Sequence, residues 1–139
     1  MDGMEPIHIL LVENNKYASQ GMRLNLVGAG YKVTSAGKAS EALALARQTR
    51  ATGGKLDLLL AEASLPDMAG LELLEQLRSE GFDSQMVMLD SGYGSPKLLE
   101  LAKGKCADLI DNPFNPFELL SRVANVVTER FKGKGAVTT

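Results

Sequence analysis

Three acids each close a short apolar run: "HILLVEN" delivers Glu13, "LDLLLAE" delivers Glu62 and "QMVMLD" delivers Asp90. A strand that hands a carboxylate to a loop can supply a nucleophile, a proton donor or a metal ligand. A further run, "ADLID", ends in Asp111 and Asn112 just before Pro113. One acid beside a loop is ordinarily no more than solvated. Three at equivalent strand ends point to a shared cluster of Glu13, Glu62 and Asp90. Crowded carboxylates raise one another's pKa, and a divalent cation held weakly by Glu13 and Glu62 would relieve their repulsion.

Other chemistries lack their parts. A single Cys106 and a single His8 cannot supply a zinc ligand set or a disulfide framework. Cys106 reads as a packing residue and His8 as one without a catalytic partner. No nucleophile–base pair, dinucleotide fingerprint or phosphate loop is present, and "GYGSP" has glycines without the spacing or lysine of such a loop. The expectation is therefore a protein that is not an enzyme. With 139 residues, 45% of them hydrophobic and 23% charged, the chain suits one soluble domain. A net charge of −2 gives no reason to expect nucleic-acid binding. No apolar run approaches a membrane span and no secretory pattern opens the chain, so a cytoplasmic location is expected.

The acids need a frame that brings strand ends together. "HILLV" is a continuous apolar run, as in a parallel strand covered on both faces. From Lys16 to Val27, Ala18, Met22 and Leu26 recur at helical spacing. "GAGYKVTSAG" reads as turn, strand, turn, and "SEALALARQTR" as a helix with Ser40 for its cap. "RATGGK" is a loop and "LDLLLA" the third strand. "GLELLEQLRSEG" sets Leu71, Leu74 and Leu77 on one face and stops at Gly81. "QMVMLD", "SPKLLELAKGK" and "ADLID" follow as strand, short helix and strand. The last helix opens at "NPFE", with Asn115 as cap, Pro116 in the first turn and Glu118 closing a capping box. Leu98, Leu101, Phe117, Leu120 and Val123 read as core. Strict alternation calls for an α/β fold: a doubly wound five-stranded parallel sheet with helices on both faces and its site at the carboxyl ends of the strands. Residues 7–130 form the expected domain, with tails at 1–6 and 131–139.

"ILLVENN", "LPDMAGLELLEQLR", "VMLDSG" and "NPFNPFELLSRV" resemble the receiver domain of two-component response regulators, over about Ile7 to Val127. The turn before the third helix and the proline–phenylalanine turn before the last are the specific features. Asn112 also lies 22 residues after Asp90, as the family spaces its switch residue and its lysine. The resemblance implies the flavodoxin-like receiver fold and a site that accepts a phosphoryl group on an aspartate. It further implies an acid pair holding Mg²⁺, a hydroxyl residue and a lysine around that aspartate. On that pattern Glu62 stands at the phosphoacceptor position, and Glu13 with Asn14 at the acid pair. Asp90 stands at the hydroxyl switch position, Asn112 at the lysine and Leu109 at the aromatic switch.

Each departure acts against phosphoryl transfer. Glutamate carries its carboxylate roughly 1 Å farther than aspartate, enough to upset a positioned reaction. Asn14 removes a charge that should attract a hard cation. Asp90 puts an anion beside a dianionic group, a repulsion of order 4 kcal/mol at about 4 Å. Asn112 deletes the offsetting cation. The resulting expectation is a stand-alone, degenerate receiver that works by protein–protein contact, with no required cofactor and with Mg²⁺ bound weakly. Two rivals are a receiver still phosphorylated on its strand-three carboxylate and a small metal- or ligand-binding module on the same fold. The partner would be a histidine kinase or another regulatory protein. In the family, the face built by the fourth helix, fifth strand and last helix binds partners or dimerises. Here it would draw on Tyr93, Lys97, Glu100, Lys103, Phe117 and Arg122, and could join two copies of the chain.

Overall fold

A computed structural model of the chain describes residues 5–90, 100, 104–111 and 115–135. Five strands form one parallel sheet: β1 (His8–Val12), β2 (Lys32–Ala36), β3 (Leu58–Glu62), β4 (Gln85–Asp90) and β5 (Asp108–Asp111), in the order β2-β1-β3-β4-β5. Four helices are described: α1 (Lys16–Gly28), α2 (Ala39–Ala51), α3 (Gly70–Ser79) and α4 (Pro116–Gly135).

Apolar residues fill both faces of the central strands, so alternation sorts them into two cores. Ile9, Leu11, Leu58, Leu60, Val87 and Leu89 pack with Met22 and Leu26 of α1 and Leu119, Val123 and Val126 of α4. Leu10, Val12, Leu59, Met86 and Met88 pack on the other face with Ala42, Leu43 and Ala46 of α2 and Leu73, Leu74 and Leu77 of α3. Helices therefore cover both faces, as strict strand–helix alternation requires.

Several local expectations hold. Leu71, Leu74 and Leu77 are all buried. Gly81 takes the left-handed conformation (φ +93°) that ends α3, where the Phe82 N–H closes on the Leu77 carbonyl at 3.0 Å. Cys106 packs its Sγ 3.5 Å from Met86 Sδ, and burial pushes its thiol up to about 11. His8 is buried with Nε2 2.7 Å from Thr34 Oγ1, and burial lowers its pKa.

Others need correction. Ala18 is exposed, so the buried strip of α1 begins one turn later, at Met22. Ser40 does not cap α2; it lies inside the first turn. The Ala39 and Ser40 N–H groups donate to the two carboxylate oxygens of Asp67, each at 2.9 Å. Asp67 reaches them from the turn after β3, and the helix N-terminus favours its negative charge. Asn115 does cap α4, accepting the Glu118 N–H at 2.8 Å, but the Glu118 carboxylate leans toward Arg122 (3.6 Å) instead of completing a box. Phe117 is not core: it is 85% exposed, about 200° round the helix from buried Leu119. Val123 is buried and Leu120 half-buried; Leu98 and Leu101 lie outside the described residues. So does most of the predicted helix at "SPKLLELAKGK", of which Glu100, Gly104 and Lys105 are described as helical. The last helix runs on to Gly135, inside the stretch the sequence suggests is a tail.

Candidate functional site

The sheet order turns at β1, whose neighbours are β2 on one side and β3 on the other. Ligand crevices form at such a point, beyond the carboxyl ends of the strands. Val12 pairs with Ala61, so the next residue on each strand, Glu13 and Glu62, comes level. Both follow the parity of the face that carries Leu11 and Leu60, and their side chains meet. Glu62 in turn pairs with Leu89 of β4, and Asp90 follows. All three acids are only 8% exposed.

The turn after β3 keeps this end tight. Gly70, the first residue of α3, donates its N–H to the Ala63 carbonyl at 2.9 Å. A Cβ at Gly70 would run into the Glu62 carbonyl oxygen, so the close approach of α3 to β3 requires glycine. The same turn projects Asp67 to the start of α2.

Burial and charge set the protonation of the cluster. The Glu62 pKa is pushed up to about 7, first by burial, then by the negative charges of Glu13 and Asp90 and by a hydrogen bond with Glu13. Burial also raises Glu13, offset by the Asn15 N–H, which donates to Glu13 Oε2 at 2.9 Å, and by the hydrogen bond to Glu62. Near neutral pH the two glutamates act as a coupled pair that shares a proton. Glu62 Oε2 is buried and has no hydrogen-bond partner among the described residues.

The other residues singled out by sequence scatter. Asn14 is exposed at the rim. Asn112, Tyr93, Lys97 and Lys103 lie outside the described residues. Leu109 is half-buried on β5 against the α2/α3 core. Glu100 and Phe117 are exposed. Arg122 is half-buried and bound to its own domain, donating to Asp108 Oδ1 and to the Leu109 carbonyl, both at 2.9 Å. Sequence reading passed over Asn15, whose Oδ1 accepts the Tyr17 and Ala18 N–H groups at 2.9 and 3.0 Å and so starts α1 behind Glu13. Its N-cap signal, an asparagine just before a helical run, was visible.

The family's Mg²⁺ fits this donor set poorly. Among the described residues no group of three or more histidines, cysteines and acids is arranged to hold a metal ion. A hard cation wants several anionic or carbonyl oxygens in near-octahedral array. Here it would have to displace the proton that Glu13 and Glu62 share, so no step is assigned to it.

A doubly wound parallel sheet with its acids at the switch point is receiver architecture, and residues 9–124 match the response regulator receiver domain. The chain belongs to that family. It is 30% identical over 120 residues to the uncharacterized transcriptional regulatory protein YkoG of Bacillus subtilis, covering 86% of this chain and 50% of that protein. It is 26% identical over 130 residues to the cell cycle transcriptional regulator CtrA of Caulobacter vibrioides, covering 91% and 52%. The chain thus spans about half the length of the curated relatives it matches. The solved CheY-like receiver domain protein of Methanospirillum hungatei is similar at a TM-score of 0.80 and 27% identity, over 93% of this chain and 99% of that one. Chemotaxis protein CheY4 of Vibrio cholerae gives 0.77 and 26%, over 88% and 99%.

Proposed function

We propose that this receiver signals by protein–protein contact and does not accept a phosphoryl group. The protonation of Glu62 carries the reading. A carboxyl at the acceptor position with a pKa near 7, hydrogen-bonded to Glu13 and facing Asp90, is only about half ionised at neutral pH, and the ionised form alone attacks. It would attack a dianionic group inside a field of its own sign, where phosphoryl transfer relies on charge neutralisation. Membership of the receiver family supports a role in two-component signalling, with a histidine kinase or another regulator as partner. Among the described residues no helix is long and apolar enough to cross a membrane.

The test is incubation with a small phosphodonor and Mg²⁺, followed by intact-mass analysis and by amide NMR with beryllofluoride. The expected outcome is no acyl phosphate and no shift at Glu13, Glu62 or Asp90. A stable acyl phosphate on Glu62 would overturn the reading. The quadruple change Asn14→Asp, Glu62→Asp, Asp90→Thr and Asn112→Lys is expected to gain the modification, because it restores each element of the family pattern.

One observation favours a second reading, a weak cation site. The buried, unpartnered Oε2 of Glu62 beside Glu13 could accept a divalent ion once the shared proton leaves. Mg²⁺ affinity would then rise between pH 6 and pH 8, and a titration showing no Mg²⁺ shifts at pH 8 would remove this reading.

A further inference from the structure

A cleft that adjoins the acid cluster through Glu13 and Asn14 opens between α1 and the sheet edge β2, with a volume of about 570 Å³. That lies within the size range of pockets that hold small organic ligands. Its charged lining is Lys16 and Arg23 from α1, Lys38 and Glu41 from the start of α2, and Glu13 at one end. Glu41 is engaged, accepting the Gly37 N–H at 2.6 Å, and Glu13 shares the proton described above. Among the described residues Lys16, Arg23 and Lys38 make no ion pair. Three unpaired cations therefore converge on one cleft in a chain of net charge −2.

Ser35 lies on β2 opposite Leu11, on the face covered by α1, and also lines the cleft. Ser19 lines the cleft from α1, and Ala36 with the aliphatic stems of Lys16 and Arg23 gives it an apolar part.

We infer that this cleft binds a small phosphate ester: the anion is held by Lys16, Arg23 and Lys38, and the organic part lies along Ala36 and the lysine and arginine stems. A phosphate answers the three cations together, and the volume leaves room for more than an inorganic anion. This inference does not depend on whether Glu62 accepts phosphate.

The test is an amide NMR titration of the whole chain at constant ionic strength with three probes: inorganic phosphate, ribose 5-phosphate and adenosine monophosphate. The expected result is saturable shifts at Ser19, Arg23, Ser35 and Lys38 with at least one ester, at a Kd below about 1 mM. Arg23→Gln should weaken that binding about tenfold or more, as a charge-assisted hydrogen bond predicts. Lys32→Gln, the same charge change outside the cleft, should leave it unaltered. Absence of saturable shifts with all three probes overturns the inference. So does equal weakening by Lys32→Gln, or inorganic phosphate binding as tightly as both esters.

Discussion

At the scale of single residues, the shared proton between Glu13 and Glu62 makes stability depend on pH in an unusual direction. The folded chain holds a proton on Glu62 up to about pH 7, whereas the unfolded chain releases it near 4.5. The stabilisation is therefore complete below pH 4.5 and is lost as pH rises through 7. By pH 8 the buried charge costs up to about 3 kcal/mol. Urea unfolding at pH 5.5 and pH 8 should show the protein more stable at the lower value. Glu62→Gln, which keeps the shape of the protonated acid, should flatten that slope and raise stability at pH 8 by about 2 kcal/mol. An unchanged slope in the variant would place the titration elsewhere. The three acids themselves were legible in the sequence, because each sits at a strand end and that position is local. The sharing of the proton was not, since it depends on the β1–β3 register that brings Glu13 level with Glu62.

At the scale of elements, the turn "LPDMAG" does two jobs that no local rule separates. Gly70 lets α3 close on β3, and Asp67 caps α2. Gly70→Ala should cost at least about 2 kcal/mol by overpacking against the Glu62 backbone and should shift the Glu62 amide resonance. Asp67→Ala should speed hydrogen exchange at the Ala39 and Ser40 amides and lower the thermal midpoint, with Asp67→Asn recovering part of the loss. Position in a helical run pointed to Ser40 as the cap, but the group that serves lies 27 residues from Ser40, and such a contact leaves no mark in local sequence. The far end of the same layer is also tied. Arg47 binds the Glu80 carboxylate through Nε and Nη2 at 2.9 and 2.6 Å, and Arg50 lies 4.1 Å from the centre of the Phe82 ring.

At the scale of the whole molecule, alternation of strand and helix settled the fold in advance, because doubly covered parallel strands and their crossovers admit few topologies. Surface assignment was harder. Phe117 reads as core by type, yet 85% of it faces solvent, on the side of α4 away from the strip of Leu119, Val123 and Val126. A phenylalanine this exposed is a candidate contact for the protein–protein binding proposed above. Phe117→Ser should leave unfolding stability within about 0.5 kcal/mol of the parent while reducing capture of the cognate partner by immobilised protein. A loss of stability instead would return Phe117 to a packing role.

The Asp67 cap also orders events in time. During synthesis the residues of α2 emerge well before Asp67, so the helix starts without the carboxylate that closes its first turn. That turn is completed only when β3 has paired and the following loop has docked. It should therefore form after the folding transition state, with a φ-value near zero. Stopped-flow kinetics of Asp67→Ala should then show faster unfolding with a nearly unchanged refolding rate. A matching fall in the refolding rate would mean that the loop and α2 meet early, as part of the nucleus.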